Sequence, residues 1–183
     1  MKVYVVYNFG QYNHLIYRML RDLNVETKLI SNTTPVGELV DLDGLVIGGG
    51  PSLDRTGNCA EYVKMLEIPI LGICLGHQLI AKTFGGKVGK GKIGGFAEVT
   101  IRIIKSDPLF DGLPKEIKVW ASHNDEVKEV TNELNILAES EICKIEALKH
   151  KKRPIYGLQW HPEVYHTEYG KDIYKNFIEI CKR

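Results

Sequence analysis

The chain has 183 residues, with 24 lysines and arginines against 23 aspartates and glutamates, and a formal net charge of +1 at pH 7. This length fits one domain with a substantial core, and we predict a single domain over residues 1–183. The near balance of charge gives no support for binding to nucleic acid or to an anionic membrane. No apolar run approaches the roughly 20 residues that cross a bilayer.

The cysteines stand at positions 59, 74, 143 and 181, without Cys-x-x-Cys spacing. The spacing therefore indicates neither a zinc ribbon nor a dithiol redox motif, and we expect no metal or cofactor in this chain. Free thiols are typical of reducing compartments, so we predict a cytoplasmic protein.

The first half of the chain alternates between strand and helix patterns. Short apolar or β-branched runs predict strands at 3–7, 26–30, 44–48 and 69–73. Apolar residues at helical spacing predict helices at 12–23, around 59–66 and at 76–84. This order predicts a three-layer α/β fold with a mostly parallel central sheet and helices on both faces.

The second half of the chain changes character. The stretch 97–104 alternates apolar and polar residues, which is typical of an antiparallel strand with one polar face. Further short strands are predicted near 117–120, 135–139, 144–148 and 155–160, and an amphipathic helix is predicted at 168–181. We therefore expect a smaller antiparallel portion beside the parallel sheet.

A cysteine flanked by glycines stands at the predicted turn between the strand at 69–73 and the next helix. The pattern Gly72-x-Cys74-x-Gly76 is the thiol counterpart of the Gly-x-Ser-x-Gly nucleophile elbow. The glycines permit a tight strand-to-helix turn, and the helix N-terminus favours a thiolate at Cys74. A buried structural cysteine is the alternative interpretation.

Two more segments follow predicted strands, at the edge of the sheet where ligands bind in open α/β folds. The glycines at 48–50 can expose backbone N–H groups to an oxyanion, although an ordinary Gly-Pro turn explains them equally well. His161 and Glu163 follow the strand at 155–160, and they can supply the base and the orienting acceptor that a catalytic cysteine needs.

A Gly-x-Gly-x-x-Gly pattern spans residues 89–94. It comes after a predicted helix and before a predicted strand, which is the reverse of the order in dinucleotide-binding sites. We interpret it as a turn beside the active site rather than as a nucleotide site.

Three motifs follow one another along the chain: the glycines at 48–50, the elbow around Cys74, and the segment with His161 and Glu163. With these motifs in this order, the chain resembles the class I, triad-type glutamine amidotransferases over essentially its whole length. The resemblance implies a flavodoxin-like arrangement of the sheet and hydrolysis of the side-chain amide of glutamine. It implies that Cys74, His161 and Glu163 form the catalytic triad. It also implies an oxyanion hole made by the backbone N–H groups of Gly50 and Leu75.

The same resemblance assigns residues to the substrate. It implies that Gln78 and the backbone around Ser122, Asn124 and Asp125 hold the α-amino and carboxylate groups of glutamine.

A narrower resemblance is to the glutaminase part of GMP synthetases. It rests on the segments 8–12 and 120–125 and on the His166-Thr167 tail after the His-Pro-Glu motif. The Ser-Gly-Gly-x-Asp-Ser loop of an ATP pyrophosphatase domain does not occur in the sequence, so the resemblance implies a separately encoded glutaminase subunit. Such a subunit supplies ammonia to an ATP-pyrophosphatase partner that uses ATP and Mg²⁺ to convert XMP to GMP, and we expect that partner to activate it.

Three other functions stay open on the sequence. A glutaminase of anthranilate or aminodeoxychorismate synthase shares the chemistry, although His166-Thr167 argues against it. A cysteine peptidase or γ-glutamyl hydrolase would use a related fold. A non-catalytic interaction subunit would leave Cys74, His161 and Glu163 without a catalytic role.

Overall fold

The structure is a computed structural model that describes residues 1–92 and 96–183. Within these residues, eleven β-strands and four α-helices are formed. In chain order the strands are β1 (Val3–Tyr7), β2 (Leu29–Ser31), β3 (Gly44–Ile47), β4 (Ile70–Ile73), β5 (Lys87–Lys90), β6 (Phe96–Ile103), β7 (Glu116–Ser122), β8 (Asp125–Glu129), β9 (Leu134–Ser140), β10 (Ala147–His150) and β11 (Ile155–Leu158). The helices are α1 (Asn13–Asp22), α2 (Cys59–Met65), α3 (Leu75–Thr83) and α4 (Gly170–Cys181).

Nine of the described strands form one sheet, in the order β2-β1-β3-β4-β11-β10-β9-β6-β7. Neighbouring strands are parallel from β2 to β11 and antiparallel from β11 to β7. The predicted parallel sheet with an antiparallel portion is therefore confirmed, and the two portions are continuous. Because β1, β3, β4 and β11 run the same way, the segments that follow them meet at one edge.

Helices cover both faces of the parallel portion, which gives the predicted three layers. On one face, Val46 and Leu71 share a core with Ile16 of α1 and Phe177 of α4. On the other face, apolar side chains of the same strands pack against α2 and α3, and this second core includes Leu45, Ile47, Ile70, Tyr62, Val63 and Ile80. The alternation along β3 and β4 shows why their sequences are continuously apolar, since both faces of each strand are buried.

A second, two-stranded sheet pairs β5 with β8, and the sequence did not predict it. Both strands are rich in charged residues, so neither carries the apolar alternation that predicts a strand. The interpretation of 89–94 as a turn is therefore wrong for Gly89 and Lys90, which belong to β5. The Gly91 N–H donates to the Asn124 carbonyl at 2.7 Å, and Ile93 and Gly94 lie outside the described residues.

Several predicted boundaries shift by a few residues. The pairing of β1 with β2 begins at Leu29, although the Val3 N–H already donates to the Glu26 carbonyl at 3.0 Å. Helix α4 begins at Gly170 because Tyr169 has a left-handed backbone with φ +57°. None of the helices in the described part of the chain has the length and apolar character that a membrane crossing requires.

The close packing at Gly76 leads to a stability prediction. A Cβ at this position would overlap the backbone carbonyl oxygen of Ile47, which belongs to β3, a strand paired on both sides with β1 and β4. We expect Gly76→Ala to destabilise the fold by about 1–3 kcal/mol or more, because overpacking against backbone cannot relax easily.

Thermal or denaturant unfolding measures this effect, and Gly37→Ala is the matched control. A Cβ at Gly37 would have no atom within 4 Å, so the control should change stability by less than about 0.5 kcal/mol. Equal stability of the two variants would contradict the packing argument.

Candidate active site

Cys74 lies at the turn between β4 and α3. Cys74 has φ +53° and ψ −100°, a backbone conformation that L-residues rarely adopt. Its N–H donates to the Leu158 carbonyl at 2.8 Å, so the turn is attached to β11 as well. Cys74 as a residue is 6% exposed, and its thiol donates to the Ser122 carbonyl at 3.5 Å. The geometry is that of a nucleophile elbow with its sulfur at a helix N-terminus.

The histidine reaches the same place from the neighbouring strand. Strands β4 and β11 are parallel with Ile73 opposite Leu158, so the residues after β11 run beside Cys74. The His161 imidazole and the Cys74 side chain line the same cleft. Both side chains border Gly49, where a Cβ would lie 3.4 Å from His161 Cε1 and 3.6 Å from Cys74 Cβ.

The imidazole is paired with a buried carboxylate. His161 Nδ1 lies 2.6 Å from Glu163 Oε1, and the Tyr174 hydroxyl donates to Glu163 Oε2 at 3.4 Å. Burial alone favours a neutral imidazole, but the charges on Glu163 and on the Cys74 sulfur, with hydrogen bonds to both, raise the pKa of His161 well above its usual range. The arrangement therefore favours a protonated imidazole beside the Glu163 side chain.

Two clefts open onto this triad and share Cys74, Gly50, Pro51 and Ser122. One cleft, of about 380 Å³, brings together the remaining predicted site residues, which are Gly50, Leu75, Gln78, Ser122, Asn124 and Asp125. The other cleft, of about 260 Å³, lies on the side of His161 and is bordered by Tyr12 and by Gly10. A small substrate in the first cleft would present its reacting group to the sulfur, and the second cleft would leave a separate way out.

The glycine loop after β3 is held open toward the sulfur. The backbone N–H of Gly50 makes no hydrogen bond to any residue in the described part of the chain. A Cβ at Gly50 would overlap the Asn8 carbonyl, so only glycine fits this close approach. Asn8 and Asn13 donate side-chain N–H bonds to the carbonyls of Gly48 and Gly49, at 3.2 and 3.0 Å, and both asparagines are buried.

A network of side-chain amides links Cys74 to the cleft of about 380 Å³, and the sequence did not reveal its central member, Gln159. Gln159 is fully buried, its Nε2 donates to the Cys74 sulfur at 3.8 Å, and its Oε1 accepts from Gln78 at 3.3 Å. Gln78 also donates to the Asp125 carbonyl at 2.7 Å, so its amide nitrogen is already engaged. The adjacency of Gln159 to the His161 motif was the only signal that could have indicated it.

His123 is the second residue that the sequence did not indicate. It is buried in the wall of the larger cleft, and its Nδ1 lies 2.9 Å from the Asp125 carbonyl. Burial lowers the pKa of His123, although the hydrogen bond to Asp125 opposes this shift. A neutral His123 thus anchors the turn that joins β7 to β8.

This elbow and triad, on a mixed sheet with helices on both faces, match a known class of enzymes. The family model described as glutamine amidotransferase class-I matches residues 4–181, and the chain belongs to this family. A glutamine-hydrolysing GMP synthase subunit from Archaeoglobus fulgidus is 67% identical over 183 residues, covering 100% of both chains. The protein of the same name from Methanothrix thermoacetophila is 55% identical, again over 100% of both chains.

A solved structure agrees with these relatives. A crystal structure of a proposed GMP synthase subunit from Thermoplasma acidophilum matches with a TM-score of 0.95 and 44% identity, covering 100% of this chain and 94% of that one.

The ion pair at the triad predicts how Glu163→Gln changes the thiol. Without the carboxylate charge the pKa of His161 falls, and fewer molecules hold an imidazolium beside the sulfur. We expect alkylation of Cys74 by iodoacetamide near neutral pH to slow by about tenfold or more, since hydrogen bonds to charged groups contribute about 1.5–3 kcal/mol. Burial raises the pKa of Cys59, Cys143 and Cys181 to about 12, so these thiols react slowly.

Mass spectrometry at Cys74 measures the rate as a function of pH, and NMR titration follows His161. Glu133→Gln is the control, because Glu133 pairs at 3.9 Å with His150 outside the site. An unchanged alkylation profile in Glu163→Gln would show that the pair does not act on the sulfur.

The amide network gives a second prediction, for Gln159→Leu. Loss of the donor to the sulfur should slow alkylation of Cys74 about threefold to tenfold, because one neutral hydrogen bond contributes about 0.5–1.5 kcal/mol. Asn176→Leu is the control, since that amide also makes two hydrogen bonds, to Leu109 and Asp111, far from the sulfur. Equal alkylation profiles for the two variants would reject a role for Gln159 at Cys74.

Proposed function

We propose that this chain is the glutaminase subunit of a two-subunit GMP synthase, acting as one domain over residues 1–183. It would hydrolyse glutamine to glutamate and ammonia, and deliver the ammonia to a separate ATP-pyrophosphatase subunit that converts XMP to GMP. The observation that carries the proposal is that Cys74 and His161 line one cleft, while Glu163 pairs with the His161 imidazole behind it. The high identity to relatives named as glutamine-hydrolysing GMP synthase subunits supports the choice of acceptor.

The first half of the proposed reaction is the formation of a thioester between Cys74 and glutamine. The Cys74 thiolate attacks the amide carbon of glutamine, and the carbonyl oxygen takes up the negative charge. The N–H groups of Gly50 and of Leu75, at the start of α3, would stabilise that oxyanion, a contribution of about 2.7–4 kcal/mol per donor in other enzymes. The His161 imidazolium then protonates the departing nitrogen, which leaves as ammonia and yields a thioester.

Hydrolysis of the thioester completes the cycle. The neutral His161 removes a proton from water, the resulting hydroxide attacks the thioester, and glutamate leaves as the Cys74 thiolate re-forms. Glu163 keeps the imidazole oriented through Nδ1 in both steps. Gln78 and the backbone at Ser122, Asn124 and Asp125 would hold the α-amino and carboxylate groups, which accounts for a cleft lined by polar groups.

The proposal also covers the cofactors and the cellular compartment. ATP and Mg²⁺ would bind on the partner subunit, and this chain would need neither. All four cysteines carry free thiols, which fits a reducing compartment, so we place the protein in the cytoplasm.

Cys74→Ala tests the function directly. With the candidate synthetase subunit present, GMP formation from XMP, ATP and glutamine should fall to the background rate, because no other group can form the thioester. GMP formation from added ammonium should persist, since the synthetase site is intact. Chromatographic detection of GMP measures both rates.

Cys181→Ala is the control, because its thiol packs against Gly44 at the opposite end of the sheet. Loss of both activities in Cys74→Ala would mean that Cys74 is structural. If the unchanged chain releases ammonia from glutamine but supports no GMP formation, the result would point to the glutaminase of anthranilate or aminodeoxychorismate synthase. Release of amino acids from peptides would point to a hydrolase.

A further inference from the structure

A row of aromatic side chains leads from the protein surface to the catalytic histidine. The Tyr165 ring lies edge-on to His166 at 5.9 Å between centroids, and His166 lies 5.2 Å from Trp120. The Trp120 indole N–H donates to the Tyr12 hydroxyl at 3.3 Å, and the Tyr12 ring lies edge-on to His161 at 4.8 Å. Each member thus contacts the next, although the members come from three distant parts of the chain.

The aromatic row consists of Tyr165, His166, Trp120 and Tyr12. We propose that the synthetase subunit docks on this row, and that its docking sets the position of the His161 imidazole through contacts along the row. The inference rests on the proposed function, because it names the surface by which the proposed partner would regulate the same site.

The outer end of the row has the composition of an interface centre. Tyr165 is 97% exposed, and His166 and Tyr169 in the same segment are exposed as well. Exposed charged residues adjoin them: Glu168 and Lys171 belong to the same stretch of chain, and Glu168 hydrogen-bonds to the Lys118 backbone. Exposed aromatic rings within a charged rim are typical of interface hot spots, where burying a tyrosine contributes a large share of the affinity.

The segment that carries Tyr165 is held firmly against the edge strand of the sheet. Thr167 Oγ1 donates to the His161 carbonyl at 2.7 Å and accepts from the Trp120 N–H at 2.9 Å. The Glu168 N–H donates to the Lys118 carbonyl at 2.9 Å, and the His161 N–H donates to the Trp120 carbonyl at 2.9 Å. A displacement of the segment at Tyr165 would therefore be passed to Trp120 and His161 through these hydrogen bonds.

The inner end of the row faces the way out of the site. Tyr12 borders the cleft of about 260 Å³ on the side of His161, away from the cleft that would hold glutamine. Ammonia that leaves through this cleft passes Tyr12, so a protein that receives the ammonia has to cover this mouth. The aromatic row lies beside the mouth, and this position identifies the occupant as the ammonia-using subunit rather than a second copy of the chain.

Tyr165→Ala tests the docking part of the inference. The exposed ring makes no contribution to the core, so the free glutaminase should hydrolyse glutamine within about twofold of the unchanged protein. The concentration of nucleotide-loaded synthetase that gives half-maximal activation should rise by about tenfold or more, as for an interface hot spot. Met65→Ala is the control, because Met65 is 65% exposed but lies at the opposite end of the sheet.

Tyr12→Phe tests the transmission part, because it keeps the ring beside His161 and removes only the hydroxyl that Trp120 contacts. The half-activating concentration of synthetase should stay unchanged, while the ratio of activated to free glutaminase rate should fall. A merely structural role for Tyr12 would lower both rates together and leave the ratio intact, and that result would overturn transmission through the row.

The outcomes separate the inference from the proposed function. If the unchanged chain is not activated by the synthetase and supports no GMP formation with it, the proposed function fails. If the unchanged chain is activated and Tyr165→Ala responds at the same synthetase concentrations, the function stands and the docking surface is wrong. An equal loss of activation in Met65→Ala and Tyr165→Ala would also overturn the inference.

Discussion

The rest of the site depends on the backbone turn at Cys74. A φ of +53° at a residue with a side chain costs energy, and such a conformation persists only where the surrounding structure enforces it. Here α3 packs so closely on β3 that Gly76 lies against the Ile47 carbonyl, and β11 accepts the Cys74 N–H. The strain is therefore balanced by sheet and helix packing, and in return the sulfur is held at a helix N-terminus.

The buried ion pair shows how the same fold can hold charge in its interior. Taking His161 and Glu163 out of water carries a large desolvation cost, which their attraction offsets only if the remaining polar atoms are satisfied. Tyr174 provides a donor to the second carboxylate oxygen, and burial together with Glu163 raises the pKa of that phenol well above its usual range. The phenol thus stays protonated and keeps donating.

Hydrogen bonds between residues far apart in the sequence hold the parts of the site together. Gln159, next to the triad histidine, contacts both the sulfur and Gln78, and Gln78 reaches the turn after β7. On the opposite side, Trp120 at the edge strand contacts Tyr12 at the start of α1. Cys74 and His161 therefore lie between a network of amides, toward the cleft of about 380 Å³, and a row of aromatic side chains, toward the surface.

The sequence by itself determined the α/β class, the positions of most strands and helices, and the residues that the fold brings to one edge. Local signals were sufficient there, because apolar periodicity marks buried elements and parallel strands deliver their following residues to the same edge. Only the tertiary structure decided the pairing of β5 with β8, whose charged residues show no strand pattern, and the central place of Gln159. Both depend on contacts between residues far apart in the chain, and such contacts leave no periodic trace in the sequence.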